Sequence, residues 1–559
     1  MLIKGNLQTR PTIPSSTPRM IISSSQLYLN SADSMLYMSK TCSDCQCNRP
    51  AWDYQLGCFH RPLDLPSAKM PAGLKLHFTS KQTPIPVVVI GNGPSGICLS
   101  YLLSGYTPYI REGAEHPNPI LQRKLVESPG TAITMQDLEY LSEGLEGRSS
   151  SPAALLFDTL LRPETDFLGD VDSVLNWKLE PEKAITHLVL GRDPPGGAWN
   201  AIEGSMITLS RGDWMGLPDL PFKEWIRMKR RNLRNDRSTA GDILNYYRYY
   251  VKKKGLEENF VSGTMVTSVV KVNRSTVNCR ENEIFQMEVP YAEDSEEDRS
   301  MFQVNGFFEN EFGTKQDFCV YAEKVILATG TYDSPSWLGV QGEDLPFVSH
   351  QISALEEAVK THQVNPHSDP VLIIGAGLTA ADAVLLAHHY NIPVIHAFRR
   401  RVNDPALIFN QLPQVMYPEY HKVHQMMKEQ SVFKGGPYHG YISLPEHYVT
   451  SFHSDKKCNF KDKLGQCKTF NISMVLILIG SNPNLSFLPN NGTMLAIATN
   501  EPVNSKRNPL DIDLFTYECI QEKGLYAVGP LAGDYFVRFV QGGALAVASS
   551  LIKSQKRPP

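Results

Sequence analysis

Short continuous apolar runs, each followed by glycines and then by apolar residues at helical spacing, recur from about residue 84 onward. Residues 87–90, VVVI, form such a run and predict a strand buried on both faces. Apolar residues resume over 97–103 and predict a helix. The pattern returns at 371–374, with a helix over 381–387 and a further strand at 394–398. Single buried strands are expected at 325–328, within VLILIG at 475–480, and at 525–528. A helical period marks 239–256, TAGDILNYYRYYVKKKGL. Thr239 is placed to cap it with Asp242 three residues later, Lys252 to Lys254 suit its C-terminal dipole, and Gly255 ends it. Strands alternating with helices predict an α/β fold with parallel sheets covered on both faces. The acidic segment around AEDSEEDR, within 281–300, predicts a solvated loop, and no repeat of solenoid period is present.

Before residue 84 this patterning is missing. Residues 1–83 are rich in Ser, Pro and Thr and predict a disordered extension. Lys4, Arg10 and Arg19 precede the first acid, Asp33, as in a transit peptide. Pro11, Pro14 and Pro18 break any amphipathic helix there, so a flexible tail is expected. Cys42, Cys45, Cys47, Cys58 and His60 cluster in this tail, but zinc-finger spacings are absent, and reduced thiols are expected in place of a metal site.

At 559 residues the chain exceeds one core and predicts two or three domains. Its 42% apolar and 20% charged content is that of a globular protein. A net charge of −4 gives no case for nucleic acid. No apolar run reaches the ~18 residues of a membrane span. No leader is evident, and ten irregularly spaced cysteines suit a reducing compartment. A cytoplasmic protein is expected, with mitochondrial or nuclear pools left open. The basic stretch KRRNLRNDR, 229–237, predicts a solvated surface loop.

The glycines after 87–90 give the first candidate chemistry. Gly91, Gly93 and Gly96 form GxGxxG between strand and helix. The first glycine permits the tight turn, the second lets backbone approach a pyrophosphate, and the third lets helix pack on strand. Pro94 and Ser95 open the helix, whose N–H groups face the phosphates. A ribose-binding acid is expected about twenty positions after the first glycine. Glu112 is the nearest candidate, although SGYTPYIREG before it is a poor strand.

Gly375, Gly377 and Ala380 form a second copy, GxGxxA, with Thr379 among the helix-opening residues. Where an acid would mark NAD, the following strand ends in Arg399, Arg400 and Arg401. Guanidinium groups suit a ribose 2′-phosphate, so NADPH is expected there.

Four further segments support two nucleotides. GRDPPGGAW brings Gly196, Gly197 and Trp199 to a turn of close ligand approach. EKVILATGTYDSP, with Thr329 and Gly330, predicts a crossover between domains, and MVLILIGSNPNL the return. GLYAVGPLAGDYFVRFVQGGALAVASSLI offers Gly529, then Asp534, then a helix starting at Gly542-Gly543 whose N-terminus would face the flavin pyrimidine edge.

With these residues in view, the chain resembles flavin-containing monooxygenases and, more narrowly, the oxidative stress-induced growth inhibitor family. The segments that carry the resemblance include VVVIGNGPSGICLSYLLSGYTPY, DLEYLSEGLEGRS, PPGGAWNAIEGSM, DPVLIIGAGLTAADAV, NIPVIHAFRRR, MYPEYHKVHQMM and GPLAGDYFVRFVQGGALAVASSL. They extend over most of residues 84–552. The resemblance implies FAD at the first glycine loop and NADPH at the second. It also implies two Rossmann-like domains, the NADPH domain inserted in the FAD domain: 84–345 and 486–552 for FAD, 346–485 for NADPH, 553–559 a tail. The implied reaction is NADPH-dependent monooxygenation through a C4a-hydroperoxyflavin, with a role in growth restraint, differentiation, cell death and cell division. The oxygen acceptor is a small molecule or a protein side chain that the sequence does not identify, and oligomeric state is equally unread.

Two departures bear on oxygen activation. The FxGxxxH signature of the wider monooxygenases is unmet in DLPFVSHQISAL, where Phe347 and His350 stand closer together. Their flavin-proximal asparagine has no counterpart in SMITLSRGDWMGLPDL. No acid–base residue is nominated as catalytic; His350 and Ser210 are expected to have core or loop roles. An NADPH oxidase releasing peroxide and a non-catalytic redox-sensing or interaction protein are the rival readings. A disulfide reductase is disfavoured because Cys98 stands alone in its helix.

Overall fold

The computed structural model describes residues 84–555 except 168–170, 203, 205, 230–236, 275–299, 310–312 and 430–439. The N-terminal extension with its cysteines, the acidic loop and most of the basic stretch lie outside these residues.

The first half starts at β1 (Ile85–Ile90), whose last four residues are buried, and turns through the glycines into α1 (Pro94–Leu103). Next come β2 (Tyr106–Ile110) and three helices, α2 (Pro119–Val126), α3 (Leu138–Ser142) and α4 (Pro152–Leu161). β3 (Leu175–Leu179) returns antiparallel to β2. β4 (His187–Leu190), four buried residues, then lies parallel to β1. A small ribbon of β5 (Ile207–Arg211) and β6 (Arg237–Thr239) flanks α5 (Phe222–Met228).

α6 (Ala240–Lys253) follows as its signals predict: the Thr239 hydroxyl accepts from the Asp242 N–H, and Gly255 takes φ +64° just beyond. Then β7 (Phe260–Val261), β8 (Thr264–Asn273), β9 (Ser300–Glu309) and β10 (Lys315–Leu327) complete a sheet ordered β7-β4-β1-β10-β9-β8. Its β8–β9–β10 side is antiparallel.

The chain leaves β10 through β11 (Ser334–Pro335) and builds a second, wholly parallel sheet ordered β12-β19-β13-β14-β15. Its members are β12 (Val348–Ser349), β13 (Val371–Ile374), β14 (Val394–Phe398), β15 (Tyr441–Pro445) and β19 (Met474–Ile477). α7 (Ser353–Lys360), α8 (Leu378–His389) and α9 (Pro418–Glu429) accompany this sheet. An antiparallel meander of β16 (His447–Phe452), β17 (Lys457–Asp462) and β18 (Cys467–Asn471) extends it. The return strand β20 (Ser481–Asn482) pairs with β11. β21 (Leu525–Ala527) rejoins the first sheet beside β10, and α10 (Val537–Gln555) closes the fold.

The first sheet is buried on both faces. One core takes Val87 and Val89 with α1, α4, α6 and α10; the other takes Val88 and Ile90 with β8 to β10 and the 485–510 segment. The second sheet likewise separates two cores. Continuous apolar strands follow from this double burial. Among the described residues no helix is long and apolar enough to cross a membrane.

Candidate functional site

Each sheet presents a glycine loop at the carboxyl end of a central strand, and the two loops are built alike. Gly91 has φ +112°, and a Cβ on it would lie 2.3 Å from the Ala328 carbonyl oxygen. Gly375 has φ +135°, and a Cβ there would lie 2.3 Å from the Leu478 carbonyl oxygen. Only glycine fits either place. The residue after each neighbouring strand is tied back to the loop strand: Ala328 N donates to Ile90 O and Leu478 N to Ile374 O, both at 2.8 Å. A Cβ on Gly96 would strike the Gly91 carbonyl, and Ala380 is fully buried, so the third position of each loop packs helix on strand.

The helices that follow are open at their N-termini. Gly93 caps α1 and Gly377 caps α8 without any side-chain hydrogen bond, and neither first turn holds an acid. Nothing lies within 4 Å of a Cβ on Gly377. Thr379 beside it is exposed. Uncapped N–H groups at a helix start favour a phosphate.

At the first loop the predicted neighbours assemble. Gly197 sits against Gly93, its Cα 3.7 Å from a Cβ built there. Gly196 N donates to Asn92 O at 2.9 Å. Gly529, φ +69°, approaches the Ser95 hydroxyl, and Thr329 Oγ1 is buried without a partner. Pro94 forms the first turn of α1, and Gly330 (φ +71°) follows in open space. An orphaned hydroxyl beside an uncapped helix and three converging glycine turns fits a dinucleotide pyrophosphate.

Asn92 and His396 were not singled out by sequence reasoning, yet they brace the two loops. The Asn92 amide donates to Asp193 O at 2.6 Å, fastening the first loop to the Gly196-Gly197 turn. His396, fully buried in β14, bonds the Gly375 carbonyl through Nε2 at 2.6 Å and Tyr441 OH through Nδ1 at 2.8 Å. A carbonyl only accepts, so Nε2 carries a proton. Burial lowers its pKa to about 4. A histidine inside the apolar run VIHAF was the available signal.

The three arginines differ. Arg400 pairs with Asp404 and Arg401 with Glu446, each at 3.0 Å. Arg399 is exposed and pairs with no side chain among the described residues. A cavity of about 800 Å³ opens beside them, lined in part by Arg401, Asp404, Lys428 and Glu446.

Several expectations need correction. Glu112 follows β2, which pairs only with β3 in a separate ribbon. The place beside β1 belongs to β4, which is followed by Gly191-Arg192-Asp193. The tip position is held by Gly191, where a Cβ would strike the Asn92 amide; Arg192 beyond it pairs with Asp333 at 2.8 Å. Glu112 is therefore not the acid at the tip of the neighbouring strand.

Gly542 and Gly543 do not start the last helix, which begins at Val537. They let it cross α4 and Tyr517: a Cβ on Gly542 would lie 2.3 Å from Ala154 Cα. Asp534 is buried with its carboxylate accepting from Tyr517 OH at 2.8 Å, and burial pushes its pKa to about 7. It faces the core through Tyr517 and the bonded Ser151 hydroxyl. Trp199 makes an edge-type contact with Tyr247, with 6.3 Å between ring centres. His350 bonds Glu343 at 3.1 Å and lies against Trp337, a brace for the crossover. Ser210 lies in β5, and the Thr208 hydroxyl donates to its carbonyl.

The crossovers tether the two loops. Ser334 pairs with Asn482 and Pro335 with Ser481, and Ser336 N donates to Gly480 O at 2.9 Å. From Ala328 and Leu478 to this pair there are about ten residues in all, a reach of roughly 35 Å fully extended.

Comparison with known proteins accords with this arrangement. A family model described as pyridine nucleotide-disulphide oxidoreductase matches residues 308–503. Oxidative stress-induced growth inhibitor 1 from Homo sapiens is 59% identical over 480 residues, covering 86% of this chain and 98% of that protein. Oxidative stress-induced growth inhibitor 2 from Homo sapiens is 51% identical over 477 residues, 84% of this chain and 94% of that one. Among solved structures, bacillithiol disulfide reductase Bdr from Bacillus cereus superposes with a TM-score of 0.51 at 15% identity, covering 84% of this chain and all of that one. The fold is that of a two-dinucleotide-binding flavoprotein, with the second Rossmann-like domain inserted in the first.

Proposed function

The chain belongs to the oxidative stress-induced growth inhibitor family, and on that premise we propose that it is an FAD-dependent monooxygenase that takes hydride from NADPH. One oxygen atom of dioxygen passes to an acceptor and the other leaves as water. The acceptor is a soft nucleophile on a small molecule or a protein side chain. The observation that carries this reading is the pair of uncapped glycine-loop helices tethered by paired crossovers.

FAD bound at the first loop would supply the hydride-accepting and oxygen-activating chemistry. Gly91 sets the turn, Gly93 and Gly197 would leave backbone room for its pyrophosphate, and the orphaned Thr329 hydroxyl would offer a donor. NADPH would be held at Gly377, where the loop is open. Arg399, which pairs with no carboxylate among the described residues, would meet its 2′-phosphate. His396 holds the Gly375 carbonyl and so the path of the second loop. The name shared by the relatives supports a role in restraining growth after oxidative stress; differentiation, cell death and cell division extend that reading.

A thiol pathway has little support. Cys98 is buried in α1 and its thiol pKa is pushed far up by burial, so it is a poor source of thiolate. The deciding experiment measures NADPH oxidation, oxygen uptake and peroxide release by FAD-loaded protein. Monooxygenation predicts NADPH and oxygen consumed together, with peroxide falling below one per NADPH when an acceptor is present. One peroxide per NADPH under all conditions indicates an oxidase. No NADPH oxidation overturns the proposal and leaves a binding protein.

A further inference from the structure

We infer that Arg237 is a positioning residue that locks the second nucleotide half onto the first, setting how the two glycine loops face each other. The basic stretch predicted as a solvated loop ends at this residue, but its side chain is only 4% exposed. Its Nε donates to Thr208 O on β5 at 2.6 Å. Its Nη1 donates to Met416 O at 3.1 Å and to the Glu419 carboxylate at 2.6 Å. The guanidinium also lies over the Tyr417 ring, 4.7 Å from its centre. Tyr417 returns the contact: its hydroxyl donates to Leu209 O at 2.8 Å. One planar cation thus binds a carbonyl of the first half and a carbonyl and carboxylate of the second, a geometry lysine does not reproduce.

The two ends of this contact are firmly anchored. β6 runs directly into α6, where Tyr246 and Tyr250 donate to the carbonyls of Leu220 and Pro218. Glu419 opens α9, where an acid is favoured by the helix dipole. α9 packs on α8, the helix that starts at Gly377. Leu209 packs into the core of the second half. Asp382 of α8 also faces this cluster: burial raises its pKa to about 6, the Tyr420 hydroxyl favours its charged form, Glu419 opposes that form and Arg237 favours it. A displacement at Arg237 therefore moves the helix that carries the second loop.

Hydride transfer requires two rings in register, and a misplacement of about 1 Å costs on the order of a hundredfold. The consequence for catalysis rests on the proposed function; the latch itself is read from the geometry. The test uses the full chain with reactive cysteines replaced by serine and spin labels at Glu258→Cys and Lys360→Cys, exposed sites in the two halves. A single narrow label-to-label distance is expected for the parent. R237A and E419Q should broaden or shift it, and R237K should restore it only in part.

In anaerobic single turnovers R237A should slow flavin reduction about tenfold or more, with affinities for both nucleotides changed less than about twofold. An unchanged distance distribution in both R237A and E419Q overturns the inference, whatever their melting temperatures. If R237A does not fold, E419Q decides. If no flavin binds, the proposed function fails while the distance measurement still judges the latch.

Discussion

Single residues separate what the loops need for folding from what they need for a ligand. Gly91 serves the fold: a Cβ there meets backbone at 2.3 Å in a left-handed conformation. G91A should lose about 2–3 kcal/mol in denaturant unfolding. Gly377 has φ −92° and open space around it. G377A should cost about 1 kcal/mol or less, the loss of a helix N-cap glycine, while raising the KM for NADPH, because the new methyl occupies the approach of the pyrophosphate. Equal loss of stability in both variants would contradict this division.

Arg399 and Arg401 differ in the same way. Glu446 already satisfies Arg401, so R401A should alter the KM for NADPH by less than about threefold, whereas R399A should raise it about tenfold and leave NADH unaffected.

Buried neutral imidazoles give a pH signature. His396 and His187 both fall from 6.5 to about 4 through burial. At these two sites the unfolded chain binds the additional protons between those values, so the pair contributes a slope in which stability falls as pH drops from about 6.5 to 4, opposed by Asp382 and Asp534, which burial raises to about 6 and about 7. H396N should remove about half of that slope in thermal melts at stepped pH.

At the level of elements, close helix crossings carry more of the fold than the pattern of apolar residues suggests. α10 meets α4 through Gly542 with no room for a methyl group. G542A should cost about 3 kcal/mol and release α4; chemical denaturation with hydrogen exchange over 152–161 would show both. The paired glycines read as a helix start because glycine also marks termini, and only the partner helix reveals the crossing. The strands 87–90, 371–374 and 394–398 were legible because double burial demands uninterrupted apolar runs.

The strand beside β1 was not found in place, because residues 104–184 intervene between α1 and β4 as a ribbon and three helices. The spacing rule for the ribose acid assumes that the next strand in sequence is the next in the sheet, and it points to Glu112 on that assumption. HLVL followed by the glycine turn of GRDPPGGAW held the corrective signal. Arg237 carried no such signal, since a buried arginine at the end of a basic stretch is distinguished only by its tertiary partners.

For the whole molecule, the second Rossmann-like unit is reached and left by two short strands that pair with each other. A flavoprotein with separate nucleotide halves needs such a joint, and the Arg237 contact makes a second attachment far along the chain from it. Two attachments restrict rotation more than either alone. They suit a site where one ring must hand hydride to another without admitting water.

The most direct measurement is an anaerobic titration of the purified full-length chain, followed by flavin absorbance as NADPH is added. Expected is a flavin band in the protein as isolated, or after loading with FAD, that bleaches with one NADPH per flavin and returns when air is admitted. A bound flavin that NADPH leaves oxidised, or a chain that retains no flavin at all, would contradict two loops arranged for hydride exchange.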